Sequence, residues 1–119
     1  MSLSLEPLSS IDGFIGASLV DADSAMVMAM TDAGGSFDLE IASAGNSEVV
    51  RAKRKTMEAL ALNDQIEDML ITLGQHYHLI RPLESNNALF LYLVLNRSKA
   101  NLAMARMELR KFEKTLELG

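Results

Sequence analysis

The chain has 119 residues, 49% of them apolar and 23% charged, with no cysteine and a net charge of −5. Such a length suits one domain, 1–119, with a core of its own, and the missing cysteines exclude disulfides and thiolate metal sites. The acidic balance argues against a nucleic-acid partner, which calls for a basic footprint.

The charge is unevenly placed. Residues 1–40 hold seven acidic residues and no basic one, whereas basic residues gather in RAKRK, Arg51 to Lys55, and along 97–114. Two faces of opposite sign are expected, an arrangement that suits protein contacts. With no signal-peptide pattern and no apolar span of about 20 residues, a cytoplasmic location without membrane insertion is expected. Met1-Ser2-Leu3 could be an expression scar and carries no functional weight, and residues 1–10 are expected to be partly disordered.

In chain order, LEPLSSID can make one short helix, with Pro7 tolerable in a first turn and Leu5, Leu8 and Ile11 roughly on one side. GFIGASLVDADSAMVMAMT reads as a hairpin of strands Phe14–Val20 and Met26–Met30, with turn chemistry in Asp21-Ala22-Asp23-Ser24. DAGGS then breaks the chain. Ser36 is the expected N-cap of a helix from Phe37 to about Leu62, with Asp38 and Glu40 favouring its positive end and Asn63-Asp64 stopping it. IEDMLITLG, HYHLIRPLE and ALFLYLVLN are three further strands, separated at Gly74-Gln75 and Ser85-Asn86-Asn87. The last of them, apolar on both faces from Ala88 to Leu95, has the pattern of a buried central strand. A final helix is predicted from about Arg97 to Leu118. Strands joined by turns this short must be antiparallel.

The two long helices differ. Leu102, Ala105, Leu109, Phe112 and Leu116 make one stripe on the last helix, enough to dock on a sheet. The middle helix is apolar over about half its circumference, through Leu39, Ile41, Ala42, Val49, Val50, Ala52, Met57, Ala59 and Leu60, where one sheet face needs roughly 100°. Gly45, Ala42 and Ala52 keep part of that arc thin, so another backbone can come close. The expectation is a C2 dimer that buries the surplus, with Asn46 and Lys53 in the arc as residues odd for a plain core. The alternative is that the arc sits under a loop of its own chain.

Candidate chemistry is sparse. His76 and His78 would share one face of a strand and could pair on a metal, but no further His or Cys completes a zinc set, so a solvated strand face is expected. Asp21 and Asp23 resemble the start of a calcium loop but lack its glycine and distal glutamate, and are read as turn residues. DAGG has no Lys-Ser/Thr pair after it, as a phosphate loop requires, and no serine has a histidine and carboxylate at recognisable spacing. The sequon Asn96-Arg97-Ser98 is a chance match. Arg51, Arg54 and Lys55 fall on the polar side of their helix. No enzymatic activity, metal or cofactor is expected.

Together, GFIGASLVDADSAMVMAM, SAGNSEVVRAKRK, IEDMLITLGQHYHLIRPL and LFLYLVLNRSKANLAMAR resemble the roadblock/dynein light-chain domain family, its bacterial members in particular, over about Ile11 to Leu116. The resemblance implies an α/β (α+β) fold: a profilin-like α/β/α sandwich, with a five-stranded antiparallel sheet, one helix on one face and two on the other. It also implies a homodimer in which the middle helices pair and the sheets join edge to edge. The function implied is non-enzymatic, a dimeric regulator or scaffold of a small Ras-like GTPase. Bacterial relatives are often encoded beside a small GTPase and a sensor-kinase-like protein, which makes both candidate partners.

Self-association is expected on Ala42, Gly45, Asn46, Val49 and Lys53 of the middle helix, and along the strand Ile66 to Leu73 through Ile66, Met69 and Ile71. For a GTPase, the candidates are Arg97, Lys99, Arg106 and Arg110 on the last helix, or Asp21 and Asp23 in the acidic hairpin. Two other readings stay open. One is a small-ligand sensor with a pocket near His76, Tyr77 and Tyr92; the other is a structural subunit of a larger complex.

Overall fold

The greasy strand read as central is central. The computed structural model describes residues 4–35 and 37–116 and contains strands β1 (Phe14–Asp21), β2 (Val27–Asp32), β3 (Met69–Thr72), β4 (His76–Pro82) and β5 (Leu89–Asn96). They form one antiparallel sheet of order β2-β1-β5-β4-β3, so β5 has a neighbour on each side and Leu93 lies between Ala17 and Leu79. Helices α1 (Leu39–Ala59) and α2 (Leu102–Thr115) and a short 3-10 turn, Glu6–Ser10, cover the faces.

Alternation along β5 divides the core in two. Leu89, Leu91, Leu93 and Leu95 face α2 and the 3-10 turn, and pack with Leu5, Leu8, Leu19, Leu79, Leu109 and Phe112. Phe90, Tyr92 and Val94 face α1 and pack with Val20, Ile80, Leu39 and Val50. Each fully buried leucine stabilises the fold by about 1.5–3 kcal/mol. The first turn, where partial disorder is expected, contributes Leu5 and Leu8 to this core.

Helix α1 comes close to β1 because the residues between them are small. A Cβ on Gly16 would stand 3.2 Å from the Leu39 side chain. Beside it the Ser43 hydroxyl donates to the Leu39 carbonyl at 2.6 Å, so the Ser18 hydroxyl donates to Ser43, also at 2.6 Å. Gly13 is demanded at the other end of β1: its φ is +81°, and a Cβ there would meet the Asn96 carbonyl oxygen at 2.9 Å.

Several boundaries differ from the expected ones, for local reasons. Helix α1 starts at Leu39 instead of Phe37 because the Asp38 carboxylate caps it, accepting from the Ile41 N–H at 3.0 Å. Ser36, the expected cap, lies outside the described residues. The helix ends at Ala59, short of Leu62, where Ala61 turns left-handed at φ +52°. Helix α2 starts at Leu102, capped by Asn101, and not at Arg97, because 97–99 is held as a turn. There the Asn96 side chain accepts from Ser98 N–H at 3.0 Å, and the Arg97 N–H donates to the Gln75 carbonyl at 3.0 Å. The expected end of α2, Leu118, lies outside the described residues. β2 begins at Val27 because the Asp21 carboxylate accepts from Asp23 N–H and Ala25 adopts φ +63°, which lengthens the turn. Among the described residues no helix is long and apolar enough to cross a membrane.

Candidate interaction surface

Helix α1 buries Leu39, Ser43, Asn46, Ser47 and Val50 against the sheet. A second strip lies beside that face. Ile41, Gly45, Val49, Ala52 and Thr56 recur at steps of three and four, continue to Leu60 at the C-cap, and are all exposed. None is charged; on the helical wheel Glu48 and Lys53 border the strip. Ile41 is 71% exposed and Val49 37%. A Cβ on Gly45 would meet nothing within 4 Å, so its own chain gives no reason for a glycine there. Among the described residues no loop covers the strip.

β3 is the edge strand of the sheet. It is shorter than the expected Ile66–Leu73, being confined to Met69–Thr72. Side chains hold the residues before it: Arg81 Nη1 donates to the Glu67 carbonyl at 3.3 Å, and Arg106 pairs with the Asp68 carboxylate at 3.2 Å. Buried Arg81 also pairs with Glu113 of α2, whose second oxygen accepts from the Glu84 N–H at 2.8 Å.

The expected association residues therefore separate. Gly45, Val49 and Lys53 are exposed on α1, while Ala42 is half-buried against the core. Asn46 is buried on the face of α1 that turns to the sheet, beside Tyr92. Met69 and Ile71 are half-buried on the α1 side of β3. Half-buried Ile66 precedes the strand and lines a groove of about 430 Å³ with Arg54, Met57, Leu62 and Leu83.

Under the start of α1 sits an aromatic cluster. The Tyr92 hydroxyl meets His78 Nδ1 at 3.0 Å, His76 stacks on His78 at 5.9 Å, and Phe37 stands edge-on to both imidazoles. Burial pushes the Tyr92 hydroxyl up to about 12, with the Asn46 hydrogen bond opposing it. Burial first, and the neighbouring His76 second, hold His78 below its ordinary 6.5. His78 Nε2 is buried without a partner among the described residues. The histidines thus lie half-buried and do not form the solvated strand face expected, because Phe37 and the sheet cover them. Among the described residues no cluster of three or more His, Cys, Asp or Glu could hold a metal. Tyr77 lies on the opposite face with the α2-side core, so His76, Tyr77 and Tyr92 do not converge on a pocket.

Two of the four expected cations are occupied. Arg97 donates to the Leu73 carbonyl at 3.1 Å and lies over the Tyr77 ring, and Arg106 is paired with Asp68; Lys99 and Arg110 are exposed. Asp21 is the half-buried last residue of β1, its carboxylate accepting from the turn, and Asp23 is exposed in that turn. Sequence reasoning passed over Met26, Met28 and Met30, all exposed at or beside edge strand β2. Their signal was the two-residue period of large apolar side chains beside an acidic turn.

A five-stranded sheet in this order, with α1 on one face and α2 plus the 3-10 turn on the other, is the roadblock/LC7 fold. The structure of a roadblock/LC7 domain from Streptomyces avermitilis superposes with a TM-score of 0.76 at 13% identity, over 92% of this chain and 88% of that one. MglB from Myxococcus xanthus gives 0.76 at 11% identity, over 90% and 83%. The gliding protein MglB from Thermus thermophilus gives 0.77 at 15% identity, over 92% and 80%. At these identities the likeness is one of fold. No protein-family model matches the chain, and no curated protein matches it.

Proposed function

We propose that this chain is a non-enzymatic homodimeric regulator or scaffold of a small Ras-like GTPase, working in a complex that includes a sensor-kinase-like protein. The observation that carries the proposal is the uncharged, exposed strip of α1 on a sheet whose β3 edge is open. Two copies related by a twofold axis pair these surfaces with themselves, α1 on α1 and β3 beside β3. The resemblance to the roadblock family and the MglB neighbours support a GTPase as the partner class. A ligand-sensing role has less support, since Tyr92, Phe90 and Ile80 fill the space between α1 and the sheet.

The test is capture from a native lysate on the immobilised protein, once with GDP and once with a non-hydrolysable GTP analogue. A small GTPase enriched in one nucleotide state supports regulation and gives its direction. The same partners in both lanes, with no GTPase, would leave a structural role as the better reading.

A further inference from the structure

Among the described residues the sheet has a second free edge, β2, which is the longer of the two and bulges at Met28. β2 runs for six residues where β3 runs for four, and it carries no proline, no lysine and a single charge, Asp32, at its end. Exposed edges of this kind invite another strand unless something blocks them. At the other end of the ladder the Ala33 N–H donates to the Ile15 carbonyl at 2.9 Å. By antiparallel alternation, Thr31 and Ala29 also turn their backbone groups toward β1, which leaves those of Met30 and Asp32 pointing outward.

The two faces of this edge differ. Met30 lies opposite Ser18, whose hydroxyl meets Ser43, so Met30 stands on the α1 side, 45% exposed, with Met28 at 43%. On the other side the Thr31 hydroxyl donates to the Glu6 carboxylate at 2.8 Å. The ends are acidic, with Asp21 and Asp23 at the turn, Asp32 closing the strand, and Asp38 and Glu40 past it. No basic residue precedes Arg51, and Arg51 is paired with Glu48 at 3.0 Å.

A second copy of the chain is a poor occupant. Antiparallel pairing of β2 with itself would bring Asp32 of each copy toward the Asp21–Asp23 turn of the other, like charge against like. We propose that β2 instead accepts, as a sixth strand, an extended segment of a partner protein in which apolar residues alternate with lysine or arginine. The apolar side chains would cover Met28 and Met30, and the alternate cations would face Glu6 and the acidic ends. Main-chain bonds to Met30 and Asp32 supply affinity, and the alternation supplies selectivity. This surface is at the opposite edge from β3, so the inference stands whether or not the chain dimerises there.

The test uses three fluorescent decapeptides with valine at alternate positions and lysine, serine or glutamate between. Anisotropy at physiological salt is expected to rank lysine tightest, at least tenfold over glutamate. Amide exchange is expected to slow at Met30 and Asp32 when the lysine peptide binds. Met30→Pro, which removes one outward N–H without touching the β1 ladder, should abolish binding, and Glu6→Gln should weaken it severalfold in a protein that remains folded. Equal binding of all three peptides, no binding of the lysine peptide, or protection that falls on α1 or α2 instead of β2 would overturn the proposal. So would a slowing of the Met30 amide with protein concentration alone, since the occupant would then be a second copy.

Discussion

Arg81 is buried on the α2 side of the sheet, and its guanidinium is shared between Glu113, Glu84 and the Glu67 carbonyl. Glu113 also accepts from the Glu84 N–H, so one carboxylate ties α2 to both β4 and the turn after it. Replacing Arg81 with Met leaves that carboxylate buried beside a single donor, which should destabilise the fold by about 3–5 kcal/mol in urea unfolding. Arg81→Met with Glu113→Leu should recover much of the loss; a single variant as stable as wild type would show that the pair holds nothing. A second side chain predicts a pH response. The fold keeps His78 below its ordinary 6.5, through burial and then His76. Above 6.5 neither folded nor unfolded chain is protonated there, so this stability is fully present. As pH falls below 6.5 the unfolded chain takes the proton first and stability is lost toward the lower folded value. Unfolding free energy should therefore drop as pH falls through 6.5, and His78→Gln should flatten the drop. An unchanged slope in the variant would assign the response to another group.

Among the elements, α1 poses the sharpest question at Gly45, where glycine costs a helix roughly 1 kcal/mol relative to alanine and the chain's own packing does not require it. If a second α1 crosses there, Gly45→Ala should weaken the dimer while raising the stability of a dissociated chain by roughly 0.5–1 kcal/mol. Sedimentation and urea unfolding read the two effects separately; a dimer unaffected by the methyl group would mean the helices do not meet at this turn. The elements most legible in the sequence were those whose signal is local. The unbroken run Leu89–Leu95 had the pattern of a central strand, and the apolar stripe of α2 that of a helix docked on a sheet. The β3 start was not legible, because Arg81 and Arg106, distant in sequence, hold 67 and 68 through side-chain bonds. The α1 start was read two residues early, with Asp38 taken only as favouring the positive end, whereas its carboxylate is the cap. At the candidate site, the width of the α1 arc was readable, but its division into a buried and an open half depended on where the sheet lies. Asn46 looked foreign to a core because Tyr92, its neighbour across the layer, is invisible from the helix alone.

For the assembled protein, the test of the paired form is mass action. A chain that unfolds from a dimer gains stability with concentration, because each tenfold increase adds about 1.4 kcal/mol to the free energy of unfolding per dimer. With an unfolding entropy of about 2.1 cal/mol/K per residue over both copies, the thermal midpoint should rise by about 3 °C per tenfold. Val49 lies in the middle of the exposed strip, so Val49→Glu places a charge at the proposed seam between two α1 helices without disturbing residues that face the sheet. An unpaired charge buried at such a seam costs several kcal/mol, on the order of 3–5, which is enough to dissociate a micromolar dimer. The variant should keep the circular dichroism of the folded sheet and helices, sediment as a single chain, and melt at one temperature whatever its concentration. A wild-type midpoint that does not move with concentration would show that the chain unfolds as a monomer, and the open face of α1 would then belong to a different protein.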